Sequence, residues 1–355
     1  MLGEDLNERG KYLKAILKKK ETVGFDLEEI PVPEPKEKEV LVKVKAAAIC
    51  GSDLKLYKWT PKIRSLVKSL PFIPGHECSG VVVKVGKEVM TIKPGDKVAA
   101  ETHIPCGKCW QCQHNRPHTC QNMELFGHSV NGCFAEYCII PEVSTRKLPE
   151  DLPFEKGSLL EPMGIPLRAV YEGEVEGDSV VVIGCGPIGQ FAVGISRLNG
   201  AEKIIASDIN EKRLNIARRM GATYLVNPQK ESLIDRVLSL TNGKGAGVII
   251  EASGNAKALE KAFNYLRVGG KLFMIGHPEE LLRIDGSAQI ILKEARVRGL
   301  FGREIWKTWE IAENLLSSGK LNVDPIITHK FSLEDFEKAF HIAISGQGCK
   351  ILLIP

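Results

Sequence analysis

SVVVIGCGPIG, residues Ser179 to Gly189, carries a run of β-branched residues into a Gly184-x-Gly186-x-x-Gly189 turn that opens a helical pattern. Strand, glycine turn and helix in that order begin a βαβ unit able to hold a dinucleotide pyrophosphate. Gly184 permits the tight turn, Gly186 lets backbone approach the phosphates, and Gly189 allows close helix packing. Amide donors at the helix start would face the phosphates. Pro187 suits the first helical turn, where its missing N–H costs little. A second strand-like run, KIIAS, ends at Asp208, where a carboxylate can bind both adenosine ribose hydroxyls and repel the extra phosphate of NADP. NAD is therefore the expected cofactor, with Asp208 as a mere cap of the helix starting near Asn210 as the bland alternative. Lys212 and Arg213 nearby keep NADP open.

The same texture extends outward. GVIIEASG, KALEKAFNYLRVGG and KLFMIGHP repeat the alternation of strand and helix, which predicts a doubly wound parallel sheet over 164–302. The preceding half differs. EVLVKVKAAAI, SGVVVKVGKEV and KPGDKVAA are short β-branched runs punctuated by Pro and Gly, so a β-rich domain is expected over 1–163, interrupted by an inserted lobe at about 101–124. Beyond Gly302, REIWKTWEIAENLLSSG reads as helix, and the strand-like pieces ending in KILLIP are expected to return over 303–355 to the first domain. The chain is thus α/β, with 355 residues suiting two cores.

Composition excludes several classes. Hydrophobic residues at 43% and charged ones at 26% describe a soluble globular chain, and 48 Lys/Arg against 44 Asp/Glu leave a net charge of only +4. Nucleic acid is not an expected partner. No apolar run reaches the length of a membrane span, and MLGEDLNERGKYLKAILKKK lacks the apolar centre of a signal peptide, so a cytoplasmic location is expected.

The ten cysteines are then better read as metal ligands, buried small residues or reactive thiols than as a disulfide framework. Cys106, Cys109, Cys112 and Cys120 form C-x2-C-x2-C-x7-C, whose short gaps let the thiolates converge on one tetrahedral ion. Four sulfurs leave no open position, so zinc held there would be structural; iron in a rubredoxin-like site or a cluster is the runner-up. A zinc-ribbon nucleic-acid module would need a basic, aromatic-bearing face, whereas this segment carries only Lys108 and Arg116 besides its histidines. A second set is dispersed. Cys50 in AAAICGSD, His76 and Glu77 in PFIPGHECSGVVVKVG, and Glu161 in LLEPMG offer mixed sulfur, nitrogen and oxygen donors, the type that leaves a position for water or substrate. Singly, each has a bland reading: a buried small residue, a core histidine, a carboxylate at a helix start.

At these residues the chain resembles the zinc-containing medium-chain dehydrogenases, the family of alcohol, sorbitol and threonine dehydrogenases. GHECSGVVVKVG looks like the family's zinc signature, the four cysteines like its structural lobe, and GCGPIG with Asp208 like its NAD site. The resemblance implies a chaperonin-10-like, β-rich catalytic domain formed by both chain ends and a Rossmann domain between them. It also implies Cys50, His76, Glu77 and Glu161 around a catalytic zinc, Ile188, Asp208 and Arg213 at the cofactor, and a homo-oligomer, dimer or tetramer. The implied activity is NAD-linked oxidation of a small-molecule alcohol to a ketone.

Within the family, ETHIPCGKC, LFGREIWKTWE and NVDPIITHKFS most resemble the threonine dehydrogenase group, with polyol or sugar-acid dehydrogenases as the alternative. Three positions depart from that group. Ser52 stands where it usually has Thr, Lys55 where both groups usually have a proton-accepting His, and MGIPLRAV replaces its pattern after Glu161. Ser52 is the candidate to relay the hydroxyl proton, since a hydroxyl donates and accepts at once. Lys55 would accept protons only with a lowered pKa, or would otherwise bind substrate oxygens as an ammonium.

Overall fold

The computed structural model describes residues 11–355, and these divide into two compact units: one of 11–161 with 327–355, the other of 162–326. The chain return anticipated at 303 comes later, because the helix Lys307–Ser317 still belongs to the second unit and only Ile327 onward joins the first. Trp309, Ala312 and Leu316 explain this helix's placement, since they are buried and form the apolar stripe of an amphipathic helix.

The first unit is built on a seven-stranded sheet whose central strand is Glu39–Ala48. Glu77–Val85 and Lys350–Ile354 lie antiparallel on its two sides, so both chain ends contribute to one sheet. Register decides which residues meet there. Ala48 pairs with Glu77 on one side and with Leu352 on the other, which brings the start of both neighbours to the end of the central strand, next to Cys50. Val40, Val42 and Val44 are buried on one face, while on the other Leu41 is buried, Lys43 half-buried and Lys45 exposed, so the second face opens to solvent only partway along the strand. Phe134 and Phe340 close that core beneath the sheet.

The second unit is a six-stranded, wholly parallel sheet in the order Tyr224–Val226, Lys203–Ser207, Ser179–Ile183, Ala246–Glu251, Leu266–Met274, Arg296–Gly299. Counted along the chain this is 3-2-1-4-5-6, the doubly wound order expected from the sequence. Its direction reverses between Ser179–Ile183 and Ala246–Glu251, where such folds leave a crevice at the carboxyl ends of the strands. Every residue of Ser179–Ile183 and Ala246–Glu251 is buried, as strands covered on both faces require. No helix among the described residues is long and apolar enough to cross a membrane.

Gly184 adopts φ +88°, and a Cβ there would lie 2.7 Å from Ser253 N; a Cβ on Gly189 would lie 1.9 Å from Gly184 O. The first and third glycines are therefore fixed by conformation and by packing against backbone. Gly189→Ala is expected to destabilise the protein by about 1 to 3 kcal/mol through overpacking, read as a fall in the midpoint of chemical denaturation. An unchanged midpoint would show that the turn relaxes freely.

Candidate functional site

Two groups of side chains and one cavity account for most of the residues singled out in the sequence. Around Cys50, the central strand ends and the helix Gly51–Lys58 begins, so the Cys50 thiol sits at a strand-to-helix corner. Asp53, at the third helical position, accepts from Cys50 N at 2.8 Å through Oδ2 and thereby fixes that corner. Its other oxygen, Oδ1, lies 3.5 Å from His76 Nδ1. Ligand atoms of Cys50, His76 and Glu77 all lie within 4.8 Å of one another.

Glu77 is fully buried, and its Oε2 accepts from Lys350 Nζ at 2.5 Å; the same ammonium donates to Ile49 O at 3.2 Å. Burial pushes the Glu77 carboxyl above the usual range while Lys350 pulls against it. Burial pulls Lys350 down, but the negative charges of Glu77 and Cys50 more than offset this and hold the ammonium above its ordinary value. For His76, likewise, burial is opposed by the charges of Asp53 and Cys50, which raise it well above its ordinary value. Three buried atoms of the cluster have no hydrogen-bond partner: Asp53 Oδ1, His76 Nδ1 and Glu77 Oε1. Buried polar atoms without partners are costly, and this donor set of thiolate, imidazole and carboxylate fits a zinc ion with an open position. Glu161 stands in the first turn of the helix Leu160–Gly173, accepts the Thr102 hydroxyl, and lies close enough to Glu77 to act on its charge, but outside the three-residue ligand set. Ser52 and Lys55, three residues apart on the helix Gly51–Lys58, are both half-buried.

In the lobe, the four cysteine sulfurs also lie within 4.8 Å of one another, with Cys109 Sγ 3.5 Å from Cys112 Sγ and 3.7 Å from Cys120 Sγ. These separations are too long for disulfides, and all ten cysteines are free. Backbone N–H groups of Lys108 and Cys109 bring the Cys106 thiol down to about 6, whereas burial pushes Cys112 up to about 12. Four thiols this close cannot all ionise without a cation among them, which fits a closed tetrahedral zinc.

In the second unit a cavity of about 650 Å³ opens at the crevice, lined by Gly184, Gly186, Asp208, Arg213 and Ser253 among others. Asp208 accepts from Cys185 N at 2.7 Å and Asn210 N at 2.8 Å, tying the glycine turn to the end of the second strand. It does not cap the next helix, a role taken by the Asn210 side chain, which accepts from Lys212 N and Arg213 N. Arg213 Nη1 stands 4.0 Å from Asp208 Oδ2. Gly189 packs beneath the turn, and Ile188, half-buried one residue into the helix, lies outside the cavity lining.

Sequence reasoning did not single out Asp53, His128, Glu251 or Lys350. Asp53 had a signal, an acid three residues into a helix that follows Cys50. Lys350 had one too, a lysine opening an apolar strand. Glu251 ends a central strand and accepts from Ser253 N and Gly254 N, holding the loop that abuts Gly184. His128 carried no sequence signal.

Comparison with known proteins agrees with this geometry. Residues 36–150 match the model of the alcohol dehydrogenase GroES-like domain, and residues 187–318 that of the zinc-binding dehydrogenases. The L-threonine 3-dehydrogenases of Bacillus licheniformis and Thermococcus kodakarensis are each 41% identical to it over 97% of this chain, covering 99% and 98% of their own lengths. An alcohol dehydrogenase from E. coli CFT073, solved in complex with NADH, superposes with a TM-score of 0.89 at 26% identity, covering 98% of this chain and 100% of that one. The chain belongs to the zinc-binding dehydrogenase family, and is an oxidoreductase with a GroES-like and a Rossmann domain.

Removing Lys350 would leave Glu77 buried and unpaired. Lys350→Met is expected to cost about 3 to 5 kcal/mol of stability, with Glu77→Gln added to it recovering part of the loss. Chemical denaturation of the two variants checks this, and equal stability of Lys350→Met and wild type would remove the pair from its structural role.

Proposed function

We propose that this protein oxidises the secondary alcohol of L-threonine to a ketone with NAD, using zinc at Cys50, His76 and Glu77 and a structural zinc at Cys106, Cys109, Cys112 and Cys120. The observation that carries the reading is the convergence of Cys50, His76 and Glu77 at one end of the first sheet, in a chain alike over nearly its whole length to L-threonine 3-dehydrogenases. Zinc bound there would polarise an alcohol oxygen as a Lewis acid and make its proton easier to lose. The chain's own residues would do the rest. Ser52 Oγ passes the hydroxyl proton outward, accepting on one side and donating on the other. Asp53 fixes the Cys50 corner and faces the His76 ring, and Lys350 favours the ionised form of Glu77. Glu161 remains a candidate ligand, with the Thr102 hydroxyl on its Oε1.

In the second unit, Gly186, with no atom within 4 Å of where a Cβ would stand, offers open backbone to the pyrophosphate, and Asp208 takes the adenosine ribose. Asp208 already accepts two backbone N–H groups, yet each carboxylate oxygen can accept again. Free thiols and metal ligands in place of disulfides suit a cytoplasmic setting. A homo-oligomer is part of the same reading, supported by the sheet-edge strand Arg296–Gly299 and the exposed Ile291 and Leu292 beside it.

The deciding measurement is NADH formation by the zinc-loaded protein with L-threonine, sorbitol and hydroxy sugar acids side by side. L-threonine is expected to give the highest kcat/KM; turnover of a polyol or sugar acid with none of threonine would mean that Ser52 and Lys55 belong to a different pocket. Asp208→Gly should lower kcat/KM for NAD and raise the NADP-to-NAD ratio by roughly tenfold or more, the loss of a charged hydrogen bond and of a repulsion each contributing. An unchanged ratio would free Asp208 from cofactor choice.

A further inference from the structure

The buried histidine His128 has no part in the proposed oxidation, yet it completes a second set of convergent groups. One ligand atom each of Asp53, His76 and His128 lie within 4.8 Å of one another, and all three residues are buried. The His76 and His128 rings are 4.7 Å apart at 45°. His128 reaches this point from a turn rather than a strand: Gly127, at φ +74°, packs so closely on Gly75 that a Cβ would lie 2.2 Å from Gly75 O, immediately before His76. The turn bearing His128 is therefore pressed against the backbone that bears His76. His128 Nδ1 lies 3.4 Å from Phe126 O, a long contact that leaves the ring's other nitrogen for the cluster.

His76 needs such a neighbour. With Nδ1 turned toward Asp53, its Nε2 is left for an ion held with Cys50 and Glu77. At 3.5 Å, however, the His76 to Asp53 contact is loose, and both facing atoms, Asp53 Oδ1 and His76 Nδ1, are without a hydrogen-bond partner. Asp53 alone does not hold the ring.

We propose that His128 is a positioning residue of the metal site, which packs on the His76 ring and, through a ring nitrogen, shares the buried Asp53 carboxylate that orients it. This rests on the reading of Cys50, His76 and Glu77 as a zinc site. Groups that orient a metal-bound histidine typically change metal affinity by roughly 10- to 100-fold when removed. His128→Phe keeps the ring and its packing but loses both nitrogens; His128→Gln restores a hydrogen-bonding group.

The test is the rate of zinc release from the holoprotein to a chromophoric chelator, followed together with the visible spectrum of the cobalt-substituted protein. Wild type is expected to release two zinc ions per chain in separate phases. His128→Phe should speed the phase of the three-ligand site by roughly 10- to 100-fold and shift the cobalt bands, while the four-cysteine zinc leaves at the wild-type rate. His128→Gln should fall between the two. Wild-type release and an unshifted spectrum in His128→Phe would overturn the proposal, as would equal acceleration in both variants, because the nitrogen would then do nothing. If His128→Phe does not fold, His128→Gln decides alone: release severalfold faster than wild type supports the role, and the wild-type rate overturns it. A wild-type protein holding only the four-cysteine zinc would overturn the metal reading itself, and this inference with it.

Discussion

Around Cys50, the carboxylates of Asp53, Glu77 and Glu161 are buried near one another, with the buried ammonium of Lys350 on Glu77. An unpaired ion in a protein interior costs several kcal/mol, so this imbalance is the constraint on which the rest of the site depends. Hydrogen bonds relieve part of it: Cys50 N to Asp53, the Thr102 hydroxyl to Glu161, and Lys350 to Glu77. What remains is a negative cluster with a thiol and an imidazole among it, and a divalent cation is the simplest counter-charge. The sheet register meets the same demand, for only antiparallel neighbours on both sides of Glu39–Ala48 bring Glu77 and Lys350 to Cys50 together.

The second unit handles charge by the opposite means. Its crevice contains few buried ions and instead presents backbone dipoles, with the glycine turn held open by its own packing. Gly184 and Gly189 admit no side chain, and Glu251 pins the facing loop through Ser253 N and Gly254 N. Asp208 lines the cavity, and two amides fix its direction. A preformed dipolar cradle suits a ligand that arrives with its own negative charge, whereas a clustered carboxylate pocket suits a cation. The two units thus offer opposite electrostatic surroundings, one suited to a dinucleotide and the other to a metal.

Legibility in the sequence depends on the distance over which each feature is encoded. The four lobe cysteines span fifteen residues, so their spacing alone suggests a metal cage, whereas the six-residue glycine turn is read together with its flanking strand, helix and Asp208. The parallel sheet was equally plain, because alternation of strand and helix is a local pattern. Long-range partners were not. Lys350 meets Glu77 across 273 residues, and the lysine that opens its apolar strand does not say locally which carboxylate it will meet. His128 depends on a turn packed against Gly75, a contact that no periodicity encodes. The return point at Ile327 was misplaced for the same reason: the helix Lys307–Ser317 is amphipathic in either unit, and only packing decides which core takes its apolar stripe.

The three departures from the threonine dehydrogenase pattern do not weigh equally on the substrate. Gly164 is required by packing, since a Cβ there would lie 2.3 Å from Arg303 Cγ, near the backbone end of a buried side chain that cannot easily swing away. Arg168 on the same helix donates to Gly302 O and so holds that segment in place. MGIPLRAV is thus explained by how one helix seats against residues 301–303. Ser52 and Lys55 have no such structural account. They lie on the helix that begins behind Cys50, three residues apart and therefore on one face, and neither is packed into the core. On that helix face, exchanging a threonine for serine changes one methyl and exchanging a histidine for lysine changes a charge, so of the two departures Lys55 alters the local electrostatics more.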